Sequence, residues 1–263
     1  MRQQTIAVPA TLTPWFAQAA VTTAGPGEEV AVLEEPDHAT TLTWRPGTND
    51  VLVIGPRSRA RYHAAQAGAL CLRLSFRPGR TAEFLGRPVR DFLDRTVALR
   101  ADAAGAILQV LNDSAPAPGA ALRILNDTVR TPGGIMHEPL IREAAALLTT
   151  GLPVTDTARR LHLSERHLRN IFVAALGLTP SRFVGIERVR SVLRHIDGSL
   201  PELARRAGYY DQSHMTAEFR RLMGVPPHAF RSRRWPAGQP CGPLDTILSP
   251  AAERPHPRSP RTR

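Results

Sequence analysis

Two stretches of this chain, 46 to 47 residues apart, carry side chains able to read the edges of base pairs. In the first, Arg166, Arg169 and Asn170 fall on one helical face together with Val173. In the second, Gln212, Ser213, Thr216, Ala217 and Arg220 do the same. Arginine pairs bidentately with guanine and Asn or Gln with adenine, while Ser and Thr pair with either, all within a major groove. Side chains at these spacings are useful only if a helix presents them, so the opposite face of each stretch must be buried.

That face is present in both copies. Leu168, Ile171, Phe172, Ala175 and Leu176 recur at i, i+3, i+4, i+7 and i+8, and Met215, Phe219, Leu222 and Met223 form the matching stripe. Ser164 and Asp211 are suitable N-caps. The copies align along their length. Ala158-Arg-Arg160 matches Ala204-Arg-Arg206, and past the next turn His167 falls on His214, Phe172 on Phe219, Gly177 on Gly224 and Phe183 on Phe230. One extra residue at Tyr209-Tyr210 accounts for the change of offset. Each copy reads as a short helix, a turn and a longer helix, repeated as one supersecondary unit. The second copy's short helix opens with Ser199-Leu-Pro-Glu202, a capping-box pattern. Between the copies, Pro180 to Ile196 reads as a linker helix with Phe183, Ile186, Val189, Leu193 and Ile196 on its apolar face. Such a helix spans roughly 25 Å. With the width of both units added, the two reading helices are expected about one duplex turn apart, roughly 34 Å, so one chain could read two successive major grooves.

Charge points the same way. The 263 residues hold 34 basic side chains against 23 acids, a net +11, and every basic residue is arginine. Residues 1–50 carry a net −4, whereas residues 151–235 carry +8. Arginine suits bidentate phosphate and guanine contacts, although a GC-rich coding sequence is the simpler source of the bias.

At this point the residues resemble a family. Leu163-Ser-Glu-Arg-His-Leu-Arg-Asn-Ile-Phe172, Gly177-Leu-Thr-Pro180, Ala207-Gly-Tyr-Tyr-Asp-Gln-Ser-His214 and Gly224-Val-Pro-Pro-His-Ala-Phe-Arg231 resemble the AraC/XylS-type DNA-binding domain over residues 137–235. The resemblance implies a bacterial transcription regulator that binds double-stranded promoter DNA and is often controlled by a small-molecule effector. It implies base reading by Arg166, Arg169, Asn170, Gln212, Ser213, His214 and Thr216. Arg159, Arg160, Arg182, Arg205, Arg206, Arg220 and Arg221 are the candidate phosphate contacts. A homodimer is an open partner, as is RNA polymerase if the chain activates. Ala217 and Glu218 depart from the family pattern, and an acid near phosphates predicts a weaker second unit.

The first hundred residues read as short strands. Thr40–Trp44, Val51–Ile54 and Ala69–Phe76 are punctuated by Pro and Gly, as in an antiparallel sheet or small barrel. Gly55-Pro-Arg-Ser-Arg59, Leu74-Ser-Phe-Arg-Pro-Gly79, Phe84-Leu-Gly-Arg-Pro-Val89 and Asp94-Arg-Thr-Val-Ala-Leu99 resemble the β-rich domain that precedes this DNA-binding domain in many actinobacterial regulators. Asp102-Ala-Ala-Gly105 replaces a Trp-Gly pair that often closes it, predicting an altered edge.

Other chemistry finds little support. The nine histidines form no His-x-His or His-x-x-x-His group, so a metal centre lacks ligands. Cys71 sits in an apolar alternation and is expected in the core. Ser75 and Ser249 lack a nucleophile-elbow context. No stretch approaches the roughly 18 to 20 apolar residues of a membrane span, and the N-terminus lacks a signal core.

The expected fold class is α+β. A β-rich regulatory domain spans 1–105, a helical linker or dimerisation segment with Leu122, Leu125 and Val129 spans 106–136, the double helix-turn-helix spans 137–235, and a disordered Pro/Arg-rich tail spans 236–263. The expected function is non-enzymatic, cofactor-free and cytoplasmic: a DNA-binding regulator whose N-terminal half alters oligomeric state or the geometry of the two units. The alternatives are a small-molecule-binding or enzymatic β-rich module with a helical tether, and an N-terminal interaction module with no small ligand. An enzymatic module would need a pocket of clustered titratable groups, which the sequence does not offer.

Overall fold

The computed structural model describes residues 2–23, 30–44, 51–65, 70–99, 122 and 138–240. Its N-terminal half is built on a six-stranded sheet, antiparallel at every pairing, in the order β1 (Arg2–Ile6), β2 (Phe16–Thr23), β7 (Leu70–Phe76), β4 (Thr41–Trp44), β5 (Val51–Ile54) and β8 (Thr96–Leu99). A second sheet pairs β3 (Val30–Glu34) with β6 (Arg61–Ala65) and β6 with β9 (Gln239–Pro240). The three strands expected from apolar runs are β4, β5 and β7. The expected α+β class holds.

Strand β7 alternates as its sequence requires. Leu72, Leu74 and Phe76 are buried with Trp15, Phe16, Leu42, Trp44 and Phe92 in one core. Successive side chains of a strand point to opposite faces, so Cys71 falls on the other face and is only half-buried. The expectation that it is a core residue is corrected on that ground. Leu122 is buried in this same core; Leu125, Val129 and the Asp102–Gly105 edge lie outside the described residues. The two motifs at 55–59 and 94–99 meet, because the Ser58 backbone N–H and hydroxyl donate to the two Asp94 carboxylate oxygens at 2.7 and 2.6 Å. Past β7 come a short helix, α1 (Thr81–Leu85), and a 3-10 turn, Val89–Phe92.

The C-terminal half is helical: α2 (Glu138–Thr149), α3 (Val154–Arg160), α4 (Glu165–Leu176), α5 (Pro180–Arg194), α6 (Leu200–Arg206), α7 (Gln212–Met223) and α8 (Pro227–Arg231). Two hydrophobic cores divide it. Ile141, Leu148, Leu168, Ile171, Phe172 and Phe183 fill the first; Ile186, Val189, Val192, Leu203, Met215, Phe219 and Leu222 fill the second. Helix α5 serves both, with Phe183 in one core and Ile186, Val189 and Val192 in the other. That sharing ties the two repeats into one body.

The segment after Trp235 differs from expectation at its start. Gln239 and Pro240 run parallel to His63 and Ala64 as β9. Trp235 explains the path, stacking on Phe230 at 5.7 Å and meeting Tyr62 of β6 at 5.8 Å between ring centroids. Residues 241–263 lie outside the described residues. No helix among the described residues is long and apolar enough to cross a membrane.

Candidate nucleic-acid interface

Both repeats fold as the sequence predicts, with α4 and α7 as the second helices of two helix-turn-helix units. The Ser164 hydroxyl accepts from the His167 backbone N–H at 3.1 Å, and the Asp211 carboxylate accepts from the His214 backbone N–H at 2.7 Å. Each thereby satisfies one of the orphan donors of a helix start. The equivalence of His167 and His214 is thus partly a backbone equivalence. Both helices end on a left-handed glycine, Gly177 at φ 69° and Gly224 at φ 77°, which reverses the chain into the next element. The capping box expected at Ser199 does not form: Ser199 sits at the N-cap without a side-chain bond. Pro201 removes one of the two donors a cap would use, and the Glu202 carboxylate is held by Arg205 at 2.8 and 3.1 Å.

The expected base readers lie on the outward faces. Arg166, Arg169 and Asn170 on α4 and Gln212, Ser213 and His214 on α7 are exposed, while Thr216 is half-buried. The seven expected phosphate contacts are exposed as well but fall into two groups. Arg159 pairs with Asp156 at 2.6 Å, Arg205 with Glu202 at 2.8 Å and Arg221 with Glu218 at 2.9 Å; Arg206 meets the His195 ring at 2.9 Å. Arg160, Arg182 and Arg220 have no ion pair among the described residues and need give up nothing to meet a phosphate.

Glu218 corrects one expectation. Its side chain is only 16% exposed, holds Arg221 and lies toward α5 near Gly185. It faces inward from α7, so it supplies no repulsion on the outward face, and the argument for a weaker second unit loses its acid. Burial, reinforced by the Glu218 charge, pushes the neighbouring Tyr209 hydroxyl well above the ordinary tyrosine range, and Arg188 lies over its ring at 5.5 Å.

The sequence did not show how the N-terminal half meets this domain. The Gly79 N–H donates to the Ala175 carbonyl at 3.3 Å, and the Ala60 N–H donates to the Leu222 carbonyl at 2.7 Å. Ala175 and Leu222 are equivalent positions of the repeat, each among the last carbonyls of its helix, which have no intrahelical partner. The β-rich half therefore caps both recognition helices at the same place. Tyr62 adds a bond from its hydroxyl to the Met223 carbonyl at 2.7 Å, and burial pushes its pKa up to about 12. Between these points Asp37 accepts from Arg190 of α5 at 2.7 Å, and His38 meets Glu187 at 3.2 Å. Burial pushes the Glu187 carboxyl up, but the His38 hydrogen bond and the charges of His38, Arg190 and Arg194 outweigh it and hold the group below the usual range.

The same junction encloses a mainly polar cavity of about 350 Å³, lined by Glu34, Glu35, Asp37, Arg57, Arg73 and Arg190 among others. Here the fold gathers titratable groups that no sequence spacing revealed. Arg57 is 5% exposed, donates to the Glu35 carbonyl at 3.1 Å and lies 3.9 Å from Asp37, while its Nη1 has no hydrogen-bond partner among the described residues. Burial lowers its pKa against the opposing pull of Glu34 and Asp37. Among the described residues no group of three or more His, Cys, Asp or Glu is placed to hold a metal ion.

Comparison with known proteins agrees with this reading of the helical half. A model described as a helix-turn-helix domain matches residues 157–233. The HTH-type transcriptional regulator YfiF of Bacillus subtilis is 34% identical over 88 residues, covering 32% of this chain and 28% of that protein. The HTH-type transcriptional activator RhaS of Salmonella arizonae is 35% identical over 80 residues, 29% of each chain. The chain thus matches less than a third of the length of these relatives. Among solved structures, the DNA-binding domain of AdpA in complex with a target DNA is 27% identical, covering 35% of this chain and 90% of that one, with a TM-score of 0.34. With its two capped recognition helices in matching repeats, the segment 157–233 is a helix-turn-helix domain of the AraC type.

Proposed function

We propose that this chain is a sequence-specific DNA-binding transcription regulator that reads two successive major grooves, with its β-rich half acting on the geometry of the two reading helices. The observation that carries this reading is the pair of equivalent N-capped helices, each exposing polar side chains outward and each capped at the same terminal carbonyl by the N-terminal half. Arg166, Arg169 and Asn170 read one groove; Gln212, Ser213, His214 and Thr216 read the next. Arg160, Arg182 and Arg220 supply backbone contacts at once, and Arg159, Arg205, Arg206 and Arg221 exchange an intramolecular partner for a phosphate.

The junction supports control by the N-terminal half. A shift of the 79–80 or 60–62 segments moves the end of one recognition helix relative to the other, and the spacing of the helices is what selects a double site. The cavity at Arg57 and Arg190 adjoins α5, so an effector lodged there acts on the helix that joins the two units. An enzymatic reading gains less from this cavity, because Asp37 is already held by Arg190 and lies beside Arg57.

Selection of fragmented genomic DNA on the full-length chain, at about 0.15 M salt, tests the proposal. The expected result is an enriched motif with two half-sites about one helical turn apart and a log–log salt slope near −5, as for about six neutralised phosphates. Recovery of no motif overturns it.

A further inference from the structure

Beside the outward face of α4 runs an open groove of about 750 Å³. Arg169, Asn170 and Val173 of the recognition helix form one wall, and Arg87 and Arg90 of the N-terminal half contribute to the other. Its remaining lining residues are small or apolar, and none is acidic. Three arginines thus converge on a surface without an opposing carboxylate in its walls.

The position of the two N-terminal arginines is fixed. Arg87 precedes Pro88 at the start of the 3-10 turn and Arg90 lies within that turn, which packs on the end of α4. A β-carbon at Gly177 would stand 3.1 Å from the Val89 carbonyl oxygen, so turn and helix meet backbone to backbone. Arg87 lies with its guanidinium 5.6 Å from the Phe92 ring centroid and 3.5 Å from Asp91. Arg90 is 70% exposed and only reaches Asp91 at 4.0 Å, an exposed contact of little energetic weight.

We infer that Arg87 and Arg90 form a phosphate clamp on the duplex whose major groove α4 enters, so that the β-rich half contributes directly to DNA binding. The inference rests on the proposed function and deepens it. A helix with its side chains, about 10–12 Å across, fills a major groove about 12 Å wide. An element packed against the flank of such a helix therefore meets the sugar-phosphate backbone rather than base edges. Charge complementarity and continuity with the reading face both favour that occupant.

The experiment compares the full-length chain with its Arg87→Ala/Arg90→Ala variant on a 40-base-pair duplex of random sequence and on the selected motif, from 50 to 200 mM salt. Loss of two phosphate contacts lowers the log–log slope by about 2, so the fall in affinity over that salt range shrinks about tenfold. The loss is expected to be equal on both duplexes, since backbone contacts carry no sequence information. Arg90→Gln alone should lower the slope by about 1 and Arg90→Lys should retain it. Because Arg90 is exposed, these two variants decide the matter even if the double variant unfolds. An unchanged slope overturns the clamp, and so does tighter binding, which would mean that the turn obstructs the duplex. If the unaltered chain binds neither duplex, the regulator reading falls with it; if it binds and the slopes agree, only the clamp falls.

Discussion

The two helix-turn-helix repeats share a backbone plan but divide their labour. The first presents two arginines and an asparagine outward, with further arginines from the N-terminal half beside it. The second presents neutral polar side chains together with Arg220 and meets the N-terminal half through two bonds of 2.7 Å and the Tyr62–Trp235–Phe230 aromatic cluster. Its core also takes in Leu33, Ala60 and Leu93 from the β-rich half. The first repeat meets the β-rich half by backbone packing of the Val89 turn at Gly177, the second by burying its side chains. A duplicated motif can therefore keep its caps and core while its outer surface is assigned to different partners.

The largest effects should appear in the cores. Phe172 and Phe219 are equivalent and fully buried, so Phe172→Ala and Phe219→Ala should each cost about 3–5 kcal/mol in chemical denaturation. Only Phe219→Ala should also loosen the β-rich half, visible as faster amide exchange at Ala60; equal exchange in both variants would erase the contrast. On DNA, Arg169→Ala should lose roughly 1–3 kcal/mol of binding and relax preference at one position of the motif. Ser213→Ala should lose less, and a loss at Arg169 that is uniform over all sequences would reassign it to the backbone.

The terminal glycines test the junction. Gly177→Ala and Gly224→Ala both force a left-handed residue, at roughly 1–2 kcal/mol each. The new methyl meets the Val89 carbonyl at 3.1 Å in the first, whereas its nearest neighbour in the second is Pro236 at 3.8 Å. The first should therefore be the more destabilising by thermal melting. At the opposite ends, Ser164→Ala and Asp211→Ala should each cost about 1 kcal/mol, with Asp211 the greater because its bond is shorter and its charge faces the positive helix end.

The smallest effect concerns acid. Glu187 is held below its ordinary value, so its contribution is present above about pH 4.5 and is lost as pH falls through the lower folded value. An acid titration of stability should show this component in the unaltered chain and lack it in Glu187→Gln.

Much of the helical half was legible because its information is local. Leu168, Phe172, Met215 and Phe219 repeat at helical spacing, and Ser164 and Asp211 mark where each helix begins. Three apolar strands were legible for the same reason. β1, β2 and β6 were not, since polar residues such as Gln3, Gln4, Gln18 and His63 interrupt their apolar ones. Cys71 was misplaced because it stands out of phase with Leu72, Leu74 and Phe76, whose alternation sets the buried face of β7. The role of Glu218 was misread because its direction depends on where α5 packs.

By itself, then, the sequence determined two capped amphipathic helices in tandem, the excess of arginine around them and a strand-rich domain ahead of them. Periodicity and capping act over a few residues and leave their mark in the chain. Tertiary structure alone decided that Gly79 and Ala60 reach equivalent carbonyls, that Arg57 and Arg190 share a cavity, and that Arg87 and Arg90 stand beside Arg169. Those meetings join residues far apart in the chain, and only the packing of the β-rich half across both repeats brings them within reach.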